Sequence, residues 1–418
     1  MSGAWTPARS AVGVLSLGAL MFGASACSEV ECATPDYTRA ECRVIAENGF
    51  ARRLSASGVE LRFQTVDAQN DDSWVGEGVF HEREGQLQAR VAHLGEFAIS
   101  LRGGLEDTSV DLVLSNVHPT HELWVGPAGQ EQLIAPADTD QGTRRSLSVP
   151  VSAGELTWVR GRMLACPSVY RMVVLGDVQL NPAQFSRIIE RIRRERDEAD
   201  EAGERLLGAL IPGDLTESST DAEFRVFAEL LEPVAVPFAL TPGNHDIYDA
   251  AHPSYNQTFG PGNYAFNVCR TRVAMLDTGS GTLAPSIVGR LPELFADQGA
   301  DNTLAVMHYP PYAGVTGAGW GEEDIAMITL GEFAHQGGDL ILAGHAHMLD
   351  DLRFEVAGTP LRELIAGTAG AWQGAGAPIY GYLRLRFVAD DIEACFVEVP
   401  PPGALPTETL PAGLEHCP

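Results

Sequence analysis

Five apolar runs of the sequence are each followed at once by residues that can bind a metal ion or move a proton. These residues are Asp, Asn and His, mostly beside a glycine. They stand in "LGD", "PGD", "PGNHD", "MHY" and "GHAH", which follow the runs at 172–175, 209–211, 238–240, 304–307 and 340–343. In open α/β sheets, ligands bind in the crevice at the carboxyl ends of the strands. The order therefore predicts that the five strand ends form one shared site.

Carboxylates, imidazoles and an amide oxygen together suit a pair of metal ions that hydrolyses a phosphate ester. Two divalent ions about 3.5–4 Å apart can neutralise the anionic oxygens and supply a hydroxide at neutral pH. Hard carboxylates with borderline imidazoles favour Mn, Fe, Zn or Co over Ca or Mg alone. A histidine in such a site can donate the proton that an alkoxide leaving group needs.

The order of these motifs resembles the calcineurin-like metallophosphoesterase superfamily over roughly residues 168–400. The family pattern is Asp-x-His, Gly-Asp, Gly-Asn-His-Asp/Glu, a later His and Gly-His-x-His. The resemblance implies a four-layer α/β sandwich (αββα) that holds two divalent or transition metal ions. It also implies that a hydroxide bridging the two ions attacks a phosphomonoester or phosphodiester.

The resemblance further assigns the metal ligands, with Asp214 as the carboxylate that bridges both ions. The other expected ligands form a first metal position, with Asp177, His347 and the candidate Gln179, and a second position, with Asn244, His308 and His345. His245 resembles the family's substrate-facing histidine, which steadies the transition state or protonates the leaving oxygen. Asp246 is expected to orient the ring of His245.

Two positions depart from the family pattern. Gln179 stands where the first motif has its histidine, and an amide oxygen coordinates a metal more weakly than imidazole does. In "GDLTES", Thr216 and Glu217 stand near the place where purple acid phosphatases have a tyrosine, which argues against a purple ferric site. Gln179 is also the main support for an alternative, a non-catalytic surface lipoprotein that binds metal or a partner. A third possibility, a purely structural β-sandwich module, does not explain the five strand ends.

The substrate is expected to be a small phosphate ester, and the sequence leaves its identity open. The stretch after His308 contains Tyr309, Tyr312 and Trp320, which either form an aromatic wall over the metals or pack onto the protein surface. The formal net charge is −28 and the chain contains no lysine. Because phosphate contacts on nucleic acids need clustered basic residues, we expect no nucleic-acid partner.

The N-terminus has the features of an export signal. Arg9 precedes a short apolar run and then "ASAC", so residues 1–26 are predicted to be a signal peptide. The small residues before Cys27 resemble a bacterial lipobox, which would place the protein at the cell envelope or outer surface, with a lipid on Cys27 as its membrane contact. Ordinary cleavage at the same bond, giving a periplasmic or secreted protein, is the alternative. Six further cysteines suit three disulfides, and Cys32–Cys42 and Cys395–Cys417 are plausible pairs because they are near in sequence.

Composition divides the rest of the chain into segments. Residues 27–44 are expected to be a linker and residues 401–418 a Pro-rich tail. Residues 45–165 show short alternating strands and no convincing helix, which predicts a smaller β-sandwich-like domain. Within it, "HPTH" at 118–121 suits an exposed turn better than a metal pair. Residues 166–400 form the predicted phosphoesterase domain.

The elements that position the site also have clear signals. The apolar runs are continuous, as expected for strands of a sheet that helices cover on both faces. After the first ligand motif, Asn181 can cap a helix and Pro182 fits its first turn. Phe185, Ile188 and Ile192 then recur on one helical face.

Overall fold

The computed structural model describes residues 32, 34–66, 77–83, 86–136, 142–179, 181–296, 298–312, 319–373 and 378–418. These residues form four β-sheets, two in each half of the chain. The predicted signal peptide and Cys27 lie outside the described residues. No helix in the described part of the chain is long and apolar enough to span a membrane.

The described residues of the N-terminal half form one helix and two sheets. Helix α1 spans Ala40–Phe50. The strands are β1 (Arg52–Leu54), β2 (Glu60–Gln64), β3 (Gly78–Arg83), β4 (Gln86–Val91), β5 (Phe97–Arg102), β6 (Thr108–Ser115), β7 (His121–Pro127), β8 (Gln132–Ile134), β9 (Arg145–Val151) and β10 (Leu156–Met163). They form a six-stranded sheet of order β1-β2-β5-β10-β7-β8 and a four-stranded sheet of order β3-β4-β6-β9. Alternate residues of both sheets, such as Phe63, Ile99 and Leu112, are buried in one shared core, which gives a β-sandwich.

The C-terminal half alternates strands and helices before it returns to strands. Its strands are β11 (Val169–Val174), β12 (Leu206–Pro212), β13 (Phe238–Thr241), β14 (Tyr264–Val268), β15 (Thr271–Leu276), β16 (Asn302–Met307), β17 (Leu340–Ala343), β18 (Leu349–Val356), β19 (Thr359–Ala366), β20 (Gly381–Val388) and β21 (Asp391–Glu398). Its helices are α2 (Pro182–Glu201), α3 (Asp221–Leu231), α4 (Ser254–Phe259), α5 (Pro285–Val288), α6 (Leu291–Phe295) and α7 (Glu323–His335).

These elements build a four-layer sandwich around two mixed sheets, of order β13-β12-β11-β20-β21 and β14-β15-β16-β17-β19-β18. Successive residues of β11 point to opposite faces. Val174 packs between the sheets with Met275 and Val306, whereas Val173 faces the layer of α2 and α3. On the far side, α6 and α7 pack on the second sheet. The predicted αββα class preceded by an all-β region is therefore correct.

Helix α2 begins as the sequence predicts. The side chain of Asn181 accepts a hydrogen bond from the backbone N–H of Gln184, and Pro182 occupies the first turn. Phe185, Ile188 and Ile192 are buried against the first sheet. Asn181 therefore starts the helix four residues after Asp177, and this fixes the turn that carries Asp177.

Helix α1 crosses the expected boundary between linker and β-domain at residue 45, where no helix was predicted. It forms because its polar residues find buried partners in the C-terminal half. Arg43 pairs with Asp277 at 2.6 and 2.8 Å, and Glu47 accepts from the backbone N–H of Gly262 at 2.8 Å. These contacts are distant in sequence, and the helix itself has only a weak apolar face.

Three disulfides link segments of the described chain. Cys32–Cys42 and Cys395–Cys417 are the two pairs expected from sequence proximity, and Cys166–Cys269 is the third. The disulfide Cys395–Cys417 and a β-bridge between Phe396 and His416 hold the Pro-rich end of the chain to β21. Disulfides of this kind are typical of proteins from oxidising compartments.

Candidate metal centre

The ends of β11, β12, β13, β16 and β17 meet at one edge of the two sheets. Backbone hydrogen bonds tie their loops together: the N–H groups of Asp177 and Val178 donate to the carbonyls of Gly213 and Asp214. The N–H of Gly344 donates to the carbonyl of His308 at 3.0 Å, and the N–H of His345 donates to the carboxylate of Asp177 at 3.0 Å. The structure thus brings together all the ligands predicted from the five strand ends.

The turns that carry the ligands have costly backbone conformations. Positive φ angles occur at Asp177 (62°), Gln179 (38°), Asp214 (55°), His345 (64°) and His347 (48°). Such a conformation costs about 1 kcal/mol or more for a residue other than glycine, and these conformations are concentrated at functional sites. Gly243 and Gly344 admit the ligands, because a Cβ atom on either would overlap the carboxylate of Asp214 or lie 2.7 Å from that of Asp177.

Four atoms that could bind a metal ion converge at the second predicted metal position. The Oδ1 atom of Asn244 lies 3.0 Å from both His308 Nε2 and His345 Nδ1. His308 Nε2 is also 3.3 Å from Asp214 Oδ1. Asp214, His308 and His345 each offer a ligand atom within 4.8 Å of the other two.

The first predicted position shares Asp214 with the second. Asp177, Asp214 and His347 form the other group whose ligand atoms lie within 4.8 Å of one another. His347 Nε2 lies 3.5 Å from Asp177 Oδ1. Gln179 belongs to the same place, with its amide nitrogen donating to Asp214 Oδ2 at 2.6 Å. A half-turn of that amide would present its oxygen to the ion instead.

The hydrogen bonds of the imidazoles fit a bound cation. His308 Nδ1 lies 2.8 Å from the carbonyl oxygen of Pro212, and His347 Nδ1 lies 2.8 Å from that of Trp372. Each Nδ1 must donate its proton there, which leaves the Nε2 lone pair of the neutral ring directed at carboxylate or amide oxygens. Bonds of this kind orient metal-ligating histidines. Lone pairs that converge in this way need either a proton or a metal ion between them.

The charges of the site without its ions support the same reading. Burial by itself would lower the pKa of His308, but the charge and hydrogen bond of Asp214 outweigh it and raise that pKa to about 9. Burial, with the charge of Asp214, raises the pKa of Asp177 to about 8, against the opposing charge of His308. A proton thus balances charges that a metal ion would otherwise balance.

His245 is beside the ligands but does not point its ring at the group around Asn244. Its backbone N–H donates to Asp214 Oδ1 at 2.9 Å. Its ring Nδ1 lies 2.9 Å from the carbonyl oxygen of Glu217 and 3.5 Å from the Oε2 atom of that residue. With Nδ1 bound, Nε2 is the nitrogen available to a substrate.

The role expected for Asp246 is wrong. Its carboxylate accepts hydrogen bonds from the backbone N–H groups of Leu215, Thr216 and Gly243 and from the Thr216 hydroxyl. It therefore braces the loop of Asp214 and makes no bond to the ring of His245, because the short turn at 244–246 directs it toward backbone donors. Glu217 orients that ring instead, a residue noted in the sequence only for the absence of a tyrosine.

Tyr309, Tyr312 and Trp320 follow one of the two alternatives that the sequence left open, in which they pack onto the protein. Tyr309 stacks on His345 with ring centroids 3.8 Å apart, and Trp320 is buried and donates to the Tyr309 carbonyl. Tyr312 stacks on Phe354, so these residues pack onto the protein, and residues 313–318 lie outside the described chain. Exposed rings come from Tyr248 and Trp372, neither of which the sequence singled out.

The "HPTH" turn forms as predicted, with the N–H of His121 donating to the carbonyl of His118 at 3.0 Å, but its two histidines are buried and not exposed. His118 Nδ1 lies 2.8 Å from the Thr120 hydroxyl, and its Nε2 lies 3.3 Å from the carbonyl oxygen of Leu206 in the C-terminal half. His121 begins β7 and packs 6.3 Å from the ring of Phe97. Among the described residues, the groups of three or more possible ligands are both at the strand ends.

The four-layer sandwich and the ligands at its strand ends are those expected of a metallophosphoesterase. Residues 170–349 match the family model of calcineurin-like phosphoesterases. The chain therefore carries a calcineurin-like phosphoesterase domain over those residues. No curated protein matches the sequence.

Solved structures with a similar arrangement share little sequence with this chain. PhoD has 10% identity and a TM-score of 0.45, with 73% of this chain and 86% of PhoD covered. A dimetal phosphatase from Danio rerio has 14% identity and a TM-score of 0.39, with 52% and 92% covered. GAP50, the anchor in the inner membrane complex of Plasmodium, has 15% identity and a TM-score of 0.41, with 56% and 85% covered. At these scores the functional argument rests on the residues of the site.

Proposed function

We propose that this protein hydrolyses phosphate esters with a pair of metal ions held at the strand ends. The observation that carries the proposal is the sharing of Asp214 by two groups of converging ligand atoms. The donor set of carboxylate, imidazole and amide suits Mn, Fe, Zn or Co. The ions, when bound, would supply positive charge for the phosphate and lower the pKa of a water molecule.

The side chains of the site have separate tasks in this reaction. Asp214 would join the two metal positions, while Asp177 with His347 and Asn244 with the other histidines would complete them. His245 would give a proton to the leaving oxygen through Nε2. Glu217 accepts the Nδ1 proton at its carbonyl, and its carboxylate lies 3.5 Å from the same nitrogen, so Glu217 orients the ring that would donate the proton.

Metal analysis of the purified full chain tests the proposal. We expect about two equivalents of transition metal and chelator-sensitive cleavage of an aryl phosphodiester. Replacing the exposed His335 at the end of α7 with Ala gives a matched control that should change neither result. Protein that takes up metal and remains inert on every phosphate ester would favour the non-catalytic alternative instead.

Export is the second part of the proposal. The disulfides Cys32–Cys42, Cys166–Cys269 and Cys395–Cys417 support it, because such bonds persist in oxidising compartments. Acylation of Cys27 would hold the protein at a membrane surface. Comparing the native chain with Cys27→Ser in a membrane fractionation tests this step, and an unchanged distribution would remove the lipid anchor from the proposal.

A further inference from the structure

The segments that form the metal edge contain no arginine. Because the chain has no lysine, they carry no permanently cationic side chain at all. The arginine-free segments, which follow the strands of the site, are residues 175–186, 213–224, 242–269, 277–289, 308–352 and 366–383. A guanidinium group is the side chain best shaped to hold two oxygens of a phosphate. These segments provide no such clamp.

Arg43 reaches this region from α1, but it is already occupied. Its Nε and Nη2 atoms donate to the carboxylate of Asp277, Nη1 donates to the carbonyl of Tyr37, and Nη2 also donates to the hydroxyl of Ser280. Its side chain is 1% exposed. The guanidinium therefore stabilises the loop after β15 and does not face a substrate.

Charge counting then separates two kinds of substrate. Two divalent ions against the carboxylates of Asp177 and Asp214 leave two positive charges for the nucleophile and substrate together. Two further carboxylates add negative charge nearby. That of Glu217 lies 3.5 Å from His245 Nδ1, and that of Asp246 accepts from the backbone N–H of Gly243. A singly charged phosphodiester can be balanced in such a site. A doubly charged monoester leaves an excess negative charge in a partly buried place, which is unfavourable.

Two exposed aromatic rings border the same ligands. Tyr248 is 53% exposed, its ring centroid lies 4.9 Å from that of His245, and its hydroxyl accepts from Asn244 Nδ2 at 3.3 Å. Trp372 is 75% exposed, and its carbonyl oxygen accepts from His347 Nδ1. Large exposed rings beside a site are surfaces on which a planar group can stack. Since His245 serves the leaving oxygen, the leaving group lies next to Tyr248.

We propose that the substrates are phosphodiesters whose leaving alcohol carries a planar group, and that Tyr248 selects this group by stacking. This inference rests on the proposed hydrolysis. The oxygen of water forms a bond to phosphorus and the bond from phosphorus to the leaving oxygen breaks. The leaving oxygen takes its proton from His245, so the products are an alcohol and a phosphomonoester. The doubly charged product is disfavoured by the same charge balance and is released.

Kinetics on a matched pair of substrates test the charge argument. On the metal-loaded full chain, kcat/KM should be at least about tenfold higher for bis(4-nitrophenyl) phosphate than for 4-nitrophenyl phosphate. Ser218 is exposed beside Glu217, so Ser218→Arg should move this ratio toward the monoester, whereas Ser218→Gln should not. A higher kcat/KM for the monoester in the native protein, or a ratio that Ser218→Arg leaves unchanged, overturns the inference while the hydrolytic function stands.

Binding measurements test Tyr248 without turnover. Calorimetry compares three singly charged methylphosphonate esters, with phenyl, thymidine and methyl alcohols, and doubly charged phenylphosphonate under mildly alkaline conditions. We expect the phenyl or thymidine ester, or both, to bind more tightly than the other two ligands, and Tyr248→Ala to weaken that binding about tenfold while Tyr248→Phe retains it. The ester that binds more tightly shows whether the planar group of the leaving alcohol is an aryl group or a nucleoside.

Equal affinity of the phenyl and methyl esters, or no effect of Tyr248→Ala, refutes the stacking role. Protein that binds these ligands as expected but never turns over would instead contradict the proposed hydrolysis.

Discussion

The protein contains two clusters of largely buried histidines that differ in the acidic groups around them. The site cluster consists of His308, His345 and His347 at the strand ends. The interface cluster consists of His93, His118 and His121, which lie between the β-sandwich and the phosphoesterase domain. In the site cluster, burial by itself would lower the pKa of His308, but the charge of Asp214 raises it to about 9, whereas burial lowers the pKa of His345 to about 3. In the interface cluster, burial lowers the pKa of His121 to about 3 and that of His118 to about 4.

The difference shows that buried imidazoles alone do not make a metal site. The carboxylates of Asp177 and Asp214 are buried within the site cluster, and backbone carbonyls accept the Nδ1 protons of His308 and His347. The interface cluster has one carboxylate beside it, that of Glu77, 3.6 Å from His93 Nε2. Both ring nitrogens of His121 are buried without a hydrogen-bond partner. His118 and His121 therefore remain neutral packing residues.

Removing the carboxylate of Asp214, which both ligand groups share, should abolish metal binding by the site cluster. Asp214→Asn replaces the charge that both ligand groups use, so we expect both metal positions to empty and activity to fall more than about 100-fold. Metal content by mass spectrometry and kcat/KM measure the result. His121→Leu, in the interface cluster, is the matched control and should keep the full metal content. Tight retention of both ions by Asp214→Asn would show that Asp214 is not a bridge.

A second variant separates ligands from the proton donor within the site. His245→Ala should keep its metal and lose kcat by about 10²- to 10⁴-fold, because it removes a proton donor and no ligand. The loss should be smallest for substrates whose leaving group needs no proton, such as nitrophenyl esters. Loss of metal from this variant would move His245 into the ligand set.

Gln179 is the position where the site cluster is incomplete. We expect Gln179→His to retain metal more tightly, by about tenfold in the dissociation constant of the more weakly held ion, because imidazole replaces an amide. Competition with a chelator measures this constant, with Gln179→Ala as the comparison. Equal constants for all three proteins would place Gln179 outside the coordination sphere and leave it as a hydrogen-bond donor to Asp214.

Much of the fold and the ligand set could be predicted because strand ends are local signals. A continuous apolar run followed by Gly-Asp or by "GHAH" predicts both a strand and the residue at the end of that strand. The cap at Asn181 is equally local. The shared edge then follows from the parallel arrangement of the strands, which orders the five motifs without any knowledge of loop conformations.

The errors concern contacts between segments distant in sequence. The family resemblance assigned Asp246 to the ring of His245, but its carboxylate accepts from backbone donors 30 and 31 residues earlier. Helix α1 has a weak apolar face and is held by Asp277, which is 234 residues from Arg43. The burial of His118 depends on a carbonyl 88 residues away. No periodicity in the sequence records such pairings.

Changing the interface cluster should alter the stability of the fold and not its metal binding. This is the smallest of the expected effects. The pKa of His121, about 3 when folded, lies below the ordinary value of 6.5 because of burial. Its neutral ring therefore contributes stability fully above about pH 6.5, and this contribution is lost as the pH falls toward 3. Replacing His121 with Leu removes a titrating group and should reduce the acid loss by up to about 1.4 kcal/mol per pH unit.

Urea unfolding of metal-free protein between mildly acidic and neutral pH measures this effect against native protein and the exposed-site variant His335→Leu. The metal-free form is the suitable reference because metal loss in acid would otherwise dominate the curve. His118 retains its own lowered pKa in the variant, so part of the acid sensitivity should remain. Identical pH dependence in His121→Leu and native protein would mean that His121 stays accessible to protons in the folded state.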